Sequence, residues 1–136
     1  MKVVVALIAA AVLAACTANS PNTPTGPVNA QFVLAPGQTA AVPNTNLQLA
    51  FVGVLGDSRC PADAFCIQAG DAIVRVDVVP KSGAPRSYDL HTGDVQPVHY
   101  DDVTIALENL SPYPFSSRTI APAEYRATLR VTREGK

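Results

Sequence analysis

Glu124-Tyr125-Arg126-Ala127-Thr128-Leu129-Arg130-Val131 alternates without a break: Tyr125, Ala127, Leu129 and Val131 fall on one side, with Glu124, Arg126, Thr128 and Arg130 on the other. A strand turns successive side chains to opposite faces, so this pattern predicts a strand buried on one face. Further back, Ala72, Val74, Val76 and Val78 oppose Arg75 and Asp77, and Val103, Ile105 and Leu107 alternate with Thr104, Ala106 and Glu108. Residues 86–91 set Tyr88 and Leu90 against Ser87 and Asp89. In residues 47–55, Leu47, Leu49, Phe51 and Leu55 share a face, while Val52 and Val54 make the other face apolar too, as in a central strand.

Residues 31–34 and 39–42 are short apolar runs stopped by Pro36-Gly37 and Pro43-Asn44, which predicts edge strands. Residues 95–100, interrupted by Pro97, add one more short piece. Outside the N-terminal segment no window keeps a 3.6-residue apolar period. Seven to eight strands, Gly and Pro turns and no helical crossovers predict an all-β fold, an antiparallel β-sandwich of immunoglobulin-like type. The approach to Tyr125 through a Pro-rich connection resembles the tyrosine corner of such domains; an ordinary core aromatic is the alternative. From Gln31 the chain has about 106 residues, enough for one hydrophobic core and not for two, so residues 31–136 are expected to form one domain.

Between two of these strands lies Asp57-Ser58-Arg59-Cys60-Pro61, followed by Cys66 and Gly70. Two cysteines so close, in a chain with an export-type N-terminus, predict a disulfide, which contributes about 2 kcal/mol on the chain-entropy estimate. Asp57 and Ser58 can bond nearby backbone N–H groups, Gly70 permits a positive φ, and Arg59 has Asp57, Asp63 and Asp71 as acidic neighbours for an ion pair. The loop is either a stapled connection or a shaped binding loop.

The run DSRCP, a second Cys and a Gly resembles a group of small bacterial envelope lipoproteins that share a D-S-R-C-P…C-x-W-x-G pattern and a Tyr-bearing last strand. Asp57, Ser58, Arg59, Cys60, Pro61, Cys66 and Gly70 carry the match, and Gln68 stands where the group often has Trp. The resemblance covers roughly residues 45–131 and implies a compact β-fold, with no activity attached.

The N-terminus adds an address. Lys2 precedes an apolar stretch over residues 3–12 and then Leu13-Ala14-Ala15-Cys16, too short for a membrane-spanning helix and patterned as a signal peptide over residues 1–15. LAAC resembles the lipobox of bacterial lipoproteins, in which Cys16 would carry the lipid. That implies attachment to membrane lipid in the bacterial cell envelope, and in a two-membrane host at the periplasmic face of the outer membrane. Residues 17–30, rich in Pro, Asn, Thr and Ser, cannot bury enough surface to offset ordering entropy and are expected to be a flexible linker.

With 10 Lys and Arg against 11 Asp and Glu, the chain has no basic excess, and no nucleic-acid partner is expected. No Ser or Cys sits in a nucleophile context such as G-x-S-x-G, so no catalytic residue, and no cofactor, is assigned. His91 and His99 are weak metal candidates, able to face each other across a strand–turn–strand and hold Zn²⁺ or Cu²⁺; a solvated turn rich in polar groups accounts for the same residues at lower cost. Residues 111–123 place Tyr113 and Phe115 in a long loop, either as partner contacts together with Arg59 or folded under to plug the sandwich. The expected function is a membrane-anchored, non-catalytic binding or structural module with an envelope protein or glycan as partner; the alternative is a metal-binding lipoprotein using His91 and His99.

Overall fold

The computed structural model describes residues 26–94 and 96–134. The expectations for the signal peptide, for Cys16 and for most of the linker fall outside the described residues. In chain order the strands are β1 (Val28–Leu34), β2 (Thr39–Ala41), β3 (Leu47–Asp57), β4 (Ala72–Pro80), β5 (Arg86–His91), β6 (Val98–Tyr100), β7 (Val103–Ser111) and β8 (Arg126–Arg133). They form two four-stranded antiparallel sheets packed together, ordered β1-β8-β7-β6 and β2-β3-β4-β5. The fold is the expected antiparallel sandwich. Its likeness to immunoglobulin-like domains is one of architecture: each sheet here is a meander of consecutive strands, with β1 added at the edge, whereas the immunoglobulin order interleaves strands between sheets.

The alternating faces meet in the middle. Ala72, Val74, Val76 and Val78 of β4 pack with Val103, Ile105 and Leu107 of β7 and Ala127, Leu129 and Val131 of β8, all buried. Full burial of each Val, Leu or Ile stabilises by roughly 1.5–3 kcal/mol, which makes this the main source of stability. The folded domain starts earlier than residue 31, because Val28 is buried and pairs Arg133, whose guanidinium also bonds the carbonyls of Gly26 and Asn44.

One face of β3 departs from its expected pattern. Leu49 and Phe51 point inward, but register shifts between Phe51 and Gly53 and between Val54 and Gly56 bring Val54 toward the core and leave Leu55 exposed. A bulge inserts an extra residue and so exchanges the faces beyond it.

The two ends of the sandwich carry different parts. At the basal end, β1 begins beside the end of β8, and Asn44 donates to the Pro27 carbonyl. At the opposite end, β3 finishes, β4 begins, β7 finishes and β8 begins. The chain therefore leaves toward residue 25 at the end remote from the disulfide loop.

Candidate functional site

The loop between β3 and β4 is built on a charged centre. Asp57, the last residue of β3, takes two parallel bonds from the Arg59 guanidinium, Nε to Oδ1 at 2.8 Å and Nη2 to Oδ2 at 2.6 Å. Arg59 Nη1 donates to the Leu110 carbonyl at 2.7 Å and Nη2 to the Pro112 carbonyl at 3.0 Å, which ties the loop to the end of β7. The Tyr125 hydroxyl donates to Asp57 Oδ2 at 3.0 Å, and the Arg59 backbone N–H donates to Oδ1, closing the Asx-type turn expected of Asp57. Such a pair, taken out of water, is held only when its remaining donors and lone pairs are satisfied, as they are here. Burial pushes the Asp57 carboxyl up, but the bonds from Arg59 and Tyr125 outweigh it and hold it below the usual carboxylate range. Burial and the adjacent carboxylate push the Tyr125 phenol up.

The start of β4 is clipped to the same centre. Ser58 Oγ donates to the Asp71 carbonyl and accepts from the Asp71 N–H, while the Ser58 N–H also donates to that carbonyl. Gly70 must be glycine here: its φ is +70°, and a Cβ would lie 1.8 Å from the Ser58 carbonyl oxygen. The Asp71 carboxylate accepts from Thr92 Oγ1 and the Gly93 N–H and pairs with His91 Nδ1 at 2.5 Å. Burial pushes its pKa up, but the bonds from His91, Gly93 and Thr92 outweigh that and hold it below the ordinary range.

Beyond this base the chain closes a small ring through the Cys60–Cys66 disulfide, with the Cα atoms 5.9 Å apart. The ring leans on the 111–123 connection: Ala62 N–H donates to the Pro114 carbonyl, and Asp63 Oδ1 accepts from the backbone N–H and the hydroxyl of Ser116. So small a ring has no interior, and its apolar side chains have nowhere to fold. Phe65 and Ile67 are 103% and 101% exposed, as open as in an extended chain. On the neighbouring connection Tyr113 and Phe115 are 52% and 51% exposed, with the Arg59 guanidinium 5.2 Å from the Tyr113 ring centroid. Four exposed large apolar side chains on two loops at one end of the domain mark that end as a candidate interaction surface.

These positions revise several sequence expectations. Arg59 is 8% exposed with its donors engaged inside the molecule, so it organises the loop. Its ionic partner is Asp57, while Asp63 serves Ser116 and Asp71 serves His91. Tyr125 is a buried aromatic whose hydroxyl reaches Asp57 and not the connection before it, so the tyrosine-corner bond is not formed. Tyr113 and Phe115 are half-exposed and do not plug the sandwich. His91 shares the outer face of its sheet with Asp89, and His99 stands on the outer face of the other sheet, its Nδ1 within bonding distance of Thr104 Oγ1. The two histidines do not converge on one ion, and among the described residues no three His, Cys, Asp or Glu side chains gather into a metal site.

Phe65, Ile67 and the Asp71–His91 pair carry weight that the sequence reading did not assign. Apolar residues on both sides of Cys66, one inside the tight ring and one just beyond it, were the available signal for the first two. Asp71 orients His91 as a carboxylate orients a general base, but no hydroxyl or thiol is bonded to His91 among the described residues, so the pair lacks a nucleophile. What the arrangement offers is a fixed apolar surface at one end of a rigid scaffold. No family model, curated protein or solved structure matches the chain.

Proposed function

We propose that this protein is a lipid-anchored, non-catalytic binding module of the bacterial envelope, attached through Cys16 and engaging its partner with the disulfide-loop end of the sandwich. One observation carries the reading: Phe65 and Ile67 stand fully exposed on a loop whose base is cross-linked, ion-paired and hydrogen-bonded into place. Fixing the loop backbone beneath exposed apolar side chains removes ordering entropy that binding would otherwise cost, as expected of a recognition loop and unnecessary in a plain connection. The LAAC sequence ending at Cys16 supports the anchor, and the chain runs toward it from the opposite end of the domain.

Fractionation of cells expressing the full chain tests the anchor. The unmodified protein is expected in the membrane fraction and to incorporate labelled fatty acid, and Cys16→Ala is expected to lose the label and become soluble. Equal partitioning of the two, with no label on either, would refute the reading.

A further inference from the structure

We infer that the Phe65–Ile67 tip inserts into an apolar pocket, edged by Lys or Arg, on a folded protein lying on the side of this domain away from the anchoring membrane. The inference deepens the proposed function and rests on it.

Three features select this occupant. Phe65 and Ile67 with the exposed halves of Tyr113 and Phe115 offer about 600 Å² of side-chain surface, taking roughly 200 Å² for each large residue. A stable protein interface uses about 800 Å² per partner, so the tip supplies the apolar centre of one and leaves a polar rim to be found around it. The tip projects, which calls for a concave partner.

Charge then narrows the rim. Within the two loops Asp57 is neutralised by Arg59, and Arg118 pairs with Glu124. Asp63 is left facing solvent without a cationic partner among the described residues, and the Ser116 N–H holds its carboxyl below the usual range. An ionised carboxylate beside an apolar tip complements a basic rim. The same charge disfavours an anionic lipid surface, to which membrane-binding loops bring Lys and Arg.

Direction comes from the fold. β3 alone spans roughly 35 Å at about 3.3 Å per residue, and the chain leads back toward Cys16 from the other end of the sandwich. The tip is thus presented outward from an anchor at Cys16. Two copies meeting tip to tip would bring their unpaired Asp63 carboxylates to the same contact, and that like-charge approach disfavours a second copy as the occupant.

The test is site-specific photo-cross-linking in intact cells making the full chain, with a benzophenone amino acid replacing Phe65 or, as a control, Val52 on the exposed face of β3. We expect one discrete protein adduct from position 65 and none from position 52. Ile67→Asp should reduce its yield at least about tenfold, as for the core of an interface, and Asp63→Asn several-fold. Mass spectrometry should map the cross-link to apolar residues of the partner flanked by Lys or Arg. Both substituted side chains are exposed, and unchanged thermal melting of the purified variants checks that the fold is intact. An adduct of twice the chain mass, a phospholipid adduct, equal labelling at position 52, or no adduct each overturns the inference. Fractionation of the same cells separates the two readings: a chain anchored through Cys16 without an adduct refutes the insertion alone, and a chain that is not anchored refutes the envelope module.

Discussion

Arg59 and Phe65 belong to the same short loop and are treated oppositely by the fold. Arg59 is buried among carbonyls and a carboxylate, whereas Phe65 is as exposed as an unfolded side chain, the reverse of what their chemistry favours in isolation. Burying a guanidinium is tolerated only because Asp57, Leu110 and Pro112 take up its donors. Leaving Phe65 in water forgoes roughly the 1.5–3 kcal/mol that burial would bring. The base of the loop is therefore a stability element and the tip is not, so perturbations of the two should separate cleanly.

The largest effect is expected at the centre of the base. Arg59→Ala removes one partner of a buried pair and strands the Asp57 carboxylate and the Leu110 and Pro112 carbonyls, which should destabilise by about 3–5 kcal/mol. Urea unfolding would read this as a lower midpoint at unchanged m-value, and a loss under 1 kcal/mol would show that the pair does not organise the loop. Gly70→Ala comes next, at about 2–4 kcal/mol, since it combines a positive φ with a Cβ driven into the Ser58 carbonyl. Near-wild-type stability for that variant would mean that the Ser58–Asp71 clip yields more easily than its three hydrogen bonds imply.

How much of this contrast the sequence could disclose depends on how far apart the partners lie. β4 was fully legible, because Ala72, Val74, Val76 and Val78 keep one unbroken period and all four are buried. In β3 the period misleads after Phe51: two bulges turn Leu55 outward, and Gly53 and Gly56 were the sole local signs. The disulfide and the need for Gly70 follow from neighbours along the chain. The bond from Tyr125 to Asp57 and those from Arg59 to Leu110 and Pro112 join residues that only the packing of one sheet on the other brings together. Hydrophobicity alone would place Phe65 and Ile67 inside, whereas one lies in the closed ring and the other just past it, both outside the sandwich core.

A smaller effect is expected from acid. Asp57 and Asp71 both have folded pKa values below their ordinary value, so the unfolded chain takes up these protons more readily as pH falls. Their contribution is complete above the unfolded carboxylate pKa of about 3.9 and is lost as pH drops through the lower folded values. Denaturant midpoints measured from pH 7 to pH 2 should be flat at first and then decline. Asp57→Asn should be less stable at pH 7 and show a shallower decline; an identical slope would place the acid sensitivity elsewhere. Tyr125→Phe, which removes one hydrogen bond to a charged acceptor and leaves the ring in the core, should cost about 1.5 kcal/mol.

The tip should scarcely register on the same scale. Phe65→Ser and Ile67→Ser remove side chains that the fold does not cover, and substitutions at such positions usually fall within about 0.5 kcal/mol of the parent. A small gain is as plausible physically as a small loss, because apolar surface leaves water in neither state. The comparison between base and tip fails if either variant loses 2 kcal/mol or more in urea unfolding, since that would mean Phe65 or Ile67 packs against something in the folded chain. Stability retained at the tip has a further consequence: any loss of partner capture by these variants in cells would then report the contact itself, whereas the same loss in Arg59→Ala could not be told from a disordered loop.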